Sequence, residues 1–230
     1  MTLRERDRAL TEVMDDPDCD ARRLEASYRR FGLVNRLVSG WGRVWRETLR
    51  PWAAGRDGAV RILDIGCGGG DVVVRLEVLA RRAGIAVDLT GADPDPRAIA
   101  VAVARPGTAA RFVRADADRL LADGERFDVV LSNHVLHHLG ADELTRFGEQ
   151  SRSLSRGIVL HADIERSAAA FGLYAAGITP LAPGTFLRVD GLRSIRRSYR
   201  REELRAALGA PWSVDSPAPF RLLARADGHG

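Results

Sequence analysis

Arg61-Ile62-Leu63-Asp64-Ile65-Gly66-Cys67-Gly68-Gly69-Gly70-Asp71 is the stretch on which the chain is organised. Ile62, Leu63 and Ile65 are strand formers in a short apolar run. Four glycines then fall within five residues, where the backbone must turn tightly and admit something close to it. From Asp71 onward, Val72-Val73-Val74-Arg75-Leu76-Glu77-Val78-Leu79-Ala80 has the apolar spacing of a helix packed on that strand. Its first amides would point at whatever lies over the glycines.

A strand, a glycine turn and a helix open a doubly wound α/β domain. The downstream pattern agrees. Strands are predicted at Val60–Ile65, Ala86–Ala92, Ala110–Ala115, Phe127–Ser132 and Gly157–Ala162. Helices are predicted at Asp71–Arg82, at Arg97–Ala104 behind Asp95-Pro96, and from Asp142 to about Leu154. Alternating strands and helices imply a parallel sheet. Each strand ends on polar residues: Asp64/Gly66, Asp93, Asp116, Asn133/His134 and Asp163. Ligands of such sheets sit outside the carboxyl ends of the strands, so these residues converge on one edge.

The glycine turn is not the dinucleotide fingerprint G-x-G-x-x-G, because its third glycine position is Asp71 counted from Gly66 and Val73 counted from Gly68. The chain contains no lysine, which excludes a P-loop. The pattern present is Asp64-x-Gly66-x-Gly68-x-Gly70. It resembles motif I of the class I S-adenosylmethionine-dependent methyltransferases, and the resemblance runs from 61 to 163 in order and spacing. Two further segments, Asp163-Ile164-Glu165-Arg166-Ser167 and Asp190-Gly191-Leu192-Arg193-Ser194-Ile195-Arg196-Arg197-Ser198-Tyr199, look like a branch of small bacterial enzymes assigned to natural-product tailoring.

The resemblance implies a Rossmann-like, mostly parallel seven-stranded sheet with an antiparallel last strand and an N-terminal helical lid. It implies S-adenosylmethionine as cofactor and a small-molecule methyl acceptor, an oxygen or carbon centre of an aromatic or polyketide-like metabolite. Asp64, Gly66, Cys67 and Gly68 would carry the methionine and ribose part of the cofactor. Asp93, followed by Pro94, would accept the ribose hydroxyls. Asp116 and Ala117 would take the adenine, with Asp118 the competing acid, and Asn133 and His134 would touch the methionine. His137, His138 and His161 are the candidate bases, since an unperturbed imidazole titrates near neutral pH. His137 and His161 are placed first. A bound NAD(P) is the competing reading, disfavoured by the broken fingerprint and the absence of a Tyr-x-x-x-Lys pair. A non-catalytic cofactor-binding scaffold is the other.

Outside the core, a short helix is expected in 1–19, a helix from Ala21 to about Phe31 capped by Asp20, and another from Val34 or Asn35 to Trp52. The lid is expected over 1–55, and the core over 56–230, with an insertion at about 164–192. Tyr28, Trp41, Tyr174 and His138 are the expected acceptor contacts, although aromatic density there suits docking on the main domain equally well. Ser194–Tyr199 is expected to be extended. Trp212–Ser216 and Phe220–Ala226 are expected to form an antiparallel pair.

Composition narrows the class. At 230 residues, 45% hydrophobic and 29% charged, this is one globular domain long enough for a full core. No apolar run reaches the roughly 18 residues of a membrane span. The start carries mixed charge without a signal-peptide apolar region. Cys19 and Cys67 are too few for a disulfide framework, so a reducing cytoplasm is expected. The pI near 9.8 rests on a formal charge of only +4, with arginines alternating with acids, and nucleic acid is set aside as a partner. A homodimer is compatible with all of this. No Cys/His cluster has metal-ligand spacing, and Asp163 lacks the neighbouring carboxylates of Mg²⁺-dependent catechol-type enzymes.

Overall fold

The computed structural model describes residues 3–230. Seven strands form one sheet in the order β3-β2-β1-β4-β5-β7-β6. The parallel strands are β1 (Val60–Ile65), β2 (Val87–Asp93), β3 (Arg111–Arg114), β4 (Phe127–Asn133) and β5 (Ser155–Ile164). Strand β7 (Arg221–Asp227) runs antiparallel to β5, and β6 (Ser213–Asp215) antiparallel to β7. The Rossmann-like topology and its reversed strand are those expected.

The sheet is buried on both faces, which is why its central strands are nearly continuous apolar runs. One face packs Leu63, Val130, Val159, Leu222 and Ala224 against α7 (Ala141–Leu154) and α10 (Arg201–Leu208). The other packs Ile62, Val129, Leu131, Ile158 and Leu160 against α4 (Asp71–Ala83), together with Trp41, Val44, Trp45, Leu49 and Ala53. The residues of this second group therefore include an N-terminal helix that belongs to the core.

That placement alters the expected lid. Helix α1 (Ala21–Val38) does not break near Phe31; it runs 18 residues from its Asp20 cap, whose side chain accepts the Arg23 N–H at 2.9 Å. The break comes at Gly40, in a left-handed conformation with φ 78°. Helix α2 (Trp41–Val44) then passes through a π turn (Trp45–Leu49) into α3 (Arg50–Ala54), so the helix continues through Pro51 and past the end expected at Trp52. Of the described chain before 55, the part that lines the cavity at the carboxyl edge of the sheet ends at Gly40.

Residues 3–20 form an irregular strap with one 3₁₀ turn (Val13–Asp15), not the expected helix, whose first two residues lie outside those described. The strap is tied down by side chains. Arg6 donates to the carbonyls of His137 and Leu139 at 2.8 and 3.0 Å and to the Tyr199 hydroxyl at 2.7 Å. Asp190 accepts the backbone N–H groups of Val13 and Met14 at 2.8 and 3.0 Å.

The insertion supplies α8 (Ala168–Gly177) and α9 (Leu187–Arg197). Helix α9 corrects the extended reading of Ser194–Tyr199, because the residues it buries, Leu187, Asp190, Ser194 and Ile195, recur at helical spacing. The arginines between them obscured that period.

Candidate active site

A cavity of about 1170 Å³ opens at the carboxyl edge of the sheet. That volume exceeds the roughly 300–1000 Å³ of a single small-ligand pocket. Helix α1, the strap, α8 and α9 wall it on the side away from the strands.

Its floor is the glycine turn. Gly70 has φ 75°, and a Cβ there would lie 2.6 Å from the Phe112 ring, so only glycine fits both the turn and its packing. Asp93 ends β2 and accepts the N–H groups of Gly68 and Asp95, each at 2.9 Å. Its outer lone pairs still face the cavity, which Asp93 and Pro94 both line. Asp95, one turn on, caps α5 (Pro96–Val103) by accepting the Arg97 N–H at 2.8 Å.

Asp64 is the most telling group. Its carboxyl is buried at the floor, and its Oδ1 has no hydrogen-bond partner among the described residues. Burial, then the nearby Asp71 and Asp93, hold it well above the usual carboxylate range. Burial raises Asp71 and Asp93 too. One buried acid, Asp64, and two half-buried ones, Asp71 and Asp93, surround the glycine turn without a counter-cation on Asp64, and they form a cradle for a positively charged group. Cys67 lies between them as a buried thiol pushed up by desolvation, which leaves it unreactive.

Beyond Asp93, Asp116 caps α6 (Ala117–Ala122) through the Arg119 N–H at 2.8 Å and lines the cavity with Ala117. Asp118 lines the cavity too, but its carboxylate is taken up by Arg146 and Gln150. Asn133 lines the cavity while its Oδ1 accepts the Trp41 indole N–H at 3.0 Å. His134 follows with φ 63°, a left-handed non-glycine residue that aims the chain into the site.

The histidines sort differently from the sequence expectation. His137 is 1% exposed and held between two acids: Nδ1 lies 2.7 Å from Asp163 Oδ1, and Nε2 lies 3.1 Å from Glu12 Oε1. Its backbone N–H also donates to Asp163 Oδ2 at 2.9 Å. Burial works against the charged ring, but the two carboxylates outweigh it and push His137 up to about 9. His137 is therefore an imidazolium near neutral pH, with both ring protons already donated; it is not a free base. His161 is not at the end of its strand, since β5 continues to Ile164. The pleat turns its ring to the opposite face, between Phe147 and Trp212, with Nδ1 at 2.8 Å from the Ser132 hydroxyl. Desolvation there takes it down to about 3. It does not line the cavity.

Among the expected acceptor contacts, Tyr28, His138 and Tyr174 line the cavity and Trp41 does not. Trp41 is fully buried in the core, because aromatic content cannot distinguish a packed ring from a pocket wall. Tyr28 lies over Gly68 and Gly69, beside Asp93, at the glycine-turn end of the cavity. Tyr174 donates to the Leu187 carbonyl at 2.7 Å, joining α8 to α9.

Residues 62–157 match the profile of the methyltransferase domain family. That stretch is similar to a methyltransferase domain. The chain is 38% identical over 155 residues to a ubiquinone biosynthesis O-methyltransferase of Azorhizobium caulinodans, covering 64% of this chain and 55% of that protein. It is 32% identical over 152 residues to the protein of that name from Brucella anthropi, covering 65% and 58%. The chain thus spans a little over half the length of these curated relatives. Among solved structures, the plantazolicin methyltransferase BpumL with S-adenosylhomocysteine and a desmethylplantazolicin analogue superposes with a TM-score of 0.61 at 18% identity, over 91% of this chain and 96% of that one. The magnesium protoporphyrin IX methyltransferase of Synechocystis superposes with a TM-score of 0.51 at 19% identity, over 81% and 83%. At such identities these likenesses concern the fold.

The site also draws on residues that the sequence did not single out. Glu12 approaches His137 from 125 positions away, and its carboxylate also accepts from the Ser194 hydroxyl at 2.6 Å. Ligand atoms of Glu12, His137 and His138 lie within 4.8 Å of one another, a grouping no spacing in the sequence reveals. Its central contact is the ion pair of Glu12 with the His137 imidazolium. Arg221, at the start of β7, lines the same end of the cavity.

Proposed function

We propose that this chain is a class I S-adenosylmethionine-dependent methyltransferase acting on a small-molecule acceptor in the cytoplasm. The observation that carries the reading is the buried, unpartnered Asp64 beneath a Gly66–Gly70 turn with Asp93 beside it. The acids fit a cofactor that brings an ammonium and a sulfonium, whereas the pyrophosphate of NAD(P) would meet three carboxyl groups. In this reading Asp64 and Asp71 face the methionine ammonium, and Asp93 accepts the ribose hydroxyls on its free lone pairs. Asp116 and the Ala117 N–H face the adenine, and Asn133 and His134 border the methionine.

When bound, the sulfonium supplies an activated methyl group. The chain's own work is to align the acceptor in line with it and exclude water, and such positioning is worth on the order of several kcal/mol. The strap and α1 close the cavity above the glycine turn. His137, already protonated and paired, does not withdraw a proton from the acceptor. It fixes a positive charge between Glu12 and Asp163 at the inner wall.

Calorimetric titration with S-adenosylmethionine and with NADPH tests the reading. Only the first is expected to bind, and Asp93→Ala should weaken it by about 2–3 kcal/mol through loss of a charged acceptor for two hydroxyl groups. Unchanged affinity in Asp93→Ala, or binding of NADPH, would refute it.

A further inference from the structure

Arg221 is a buried cation with no anion to meet it. It is 5% exposed, yet no carboxylate oxygen lies within 4 Å of its guanidinium among the described residues. Its Nε donates to the Val38 carbonyl at 2.5 Å, and its Nη1 donates to His134 Nε2. His134 must therefore be neutral, and burial and the Arg221 charge both hold its pKa well below the ordinary value. The Nη2 donors have no protein acceptor among the described residues, although Arg221 lines the cavity. Burying an arginine in this way is costly unless something completes it. The nearest acid, Asp163, is committed to His137.

The position separates this cation from the cofactor cradle. Arg221 pairs with Ile164 at the carboxyl edge of β5, on the far side of β4 from Asp64, Asp93 and Asp116. The cavity it lines carries an apolar cluster of Val34, Ile178 and Leu187 with Leu181, and the Tyr174 hydroxyl group lies near enough to act on its charge. Two cations, Arg221 and His137, lie against the His134 ring; the two imidazole centroids are 6.3 Å apart.

We propose that Arg221 receives an ionised oxygen, phenolate or carboxylate, on an otherwise apolar methyl acceptor, and so selects acidic acceptors for this site. This rests on the methyltransferase reading and adds to it the acceptor's charge. An acceptor oxygen that enters as an anion needs no protein base. If that oxygen is the nucleophile, its lone pair forms the new O–CH₃ bond, the S–CH₃ bond breaks with its pair retained by sulfur, and no proton is left to remove.

The test uses 2-naphthoate and 2-naphthamide, which share ring and size and differ by one charge. Each is titrated, by quenching of tryptophan emission, into the full chain with and without saturating S-adenosylhomocysteine. The wild type is expected to bind naphthoate at least tenfold more tightly than naphthamide. Arg221→Gln should level the two, Arg221→Lys should retain the preference, and S-adenosylhomocysteine affinity should stay within about twofold in both variants. Equal affinity, or no binding of either probe, in the wild type overturns the proposal without any variant being needed. So does a preference that survives Arg221→Gln. Loss of S-adenosylhomocysteine affinity with the preference intact would move Arg221 to the methionine carboxylate and overturn it as well. Failure of the wild type to bind S-adenosylhomocysteine counts against the methyltransferase reading, while the probe ratio in the unliganded chain still tests Arg221.

Discussion

His137 shows at the scale of one residue how tertiary neighbours reassign a side chain. A histidine after a strand end is a natural base candidate at its ordinary pKa. Here Asp163 and Glu12 stabilise the protonated ring and raise it to about 9. The shift is upward, so the pair's contribution to stability is complete below about pH 6.5 and is lost as pH rises through about 9. Asp163, held below the usual carboxylate range by the same contact, does not reverse this above pH 4. Urea denaturation of the wild type and of His137→Gln should therefore show a gap of a few kcal/mol at pH 6 that shrinks by pH 9.5. A gap independent of pH would mean that the ring is neutral in the folded protein.

At the scale of an element, the glycine turn is set by two constraints at once. Gly70 needs a left-handed backbone and also space beside Phe112, whereas Gly84, which ends α4 at φ 68°, has nothing within 4 Å of where its Cβ would be. An alanine at position 84 should cost about 1–2 kcal/mol, the left-handed penalty alone. Alanine at position 70 adds a clash with a packed ring, about 1–3 kcal/mol more, and should also shift the amides below the cofactor site. Thermal melts of Gly70→Ala and Gly84→Ala side by side check this. Equal losses would show that Phe112 yields freely.

The whole molecule divides differently from the lid and core of the sequence reading. Residues 41–54 complete a face of the sheet, with Trp41, Val44, Trp45, Leu49 and Ala53 all buried. Trp41→Ala should cost about 3–5 kcal/mol in chemical denaturation, as a large core residue does. Removing residues 1–20 should leave a cooperative fold, because the strap contributes Glu12, Met14 and Asp15 to the cavity wall but no strand or sheet-facing residue. Removing residues 1–54 should give an insoluble chain. A soluble, cooperatively melting product of the longer deletion would restore the lid as first drawn.

The alternating sheet and the polar strand ends at the floor of the cavity were legible in the residues. Asp64, Gly66, Gly68, Asp93 and Asp116 lie at strand ends and line the cavity, where backbone period and local turn chemistry fix direction without reference to the rest of the chain. What lay across the cavity was not legible. Glu12, Arg221 and the environment of His137 depend on contacts spanning 26 to 183 positions. Local pattern can place a residue on an element. The charge state of His137, the burial of Trp41 and His161, and the unmatched charge of Arg221 are set by which distant groups share their desolvated surroundings, and only the tertiary structure brings those groups together.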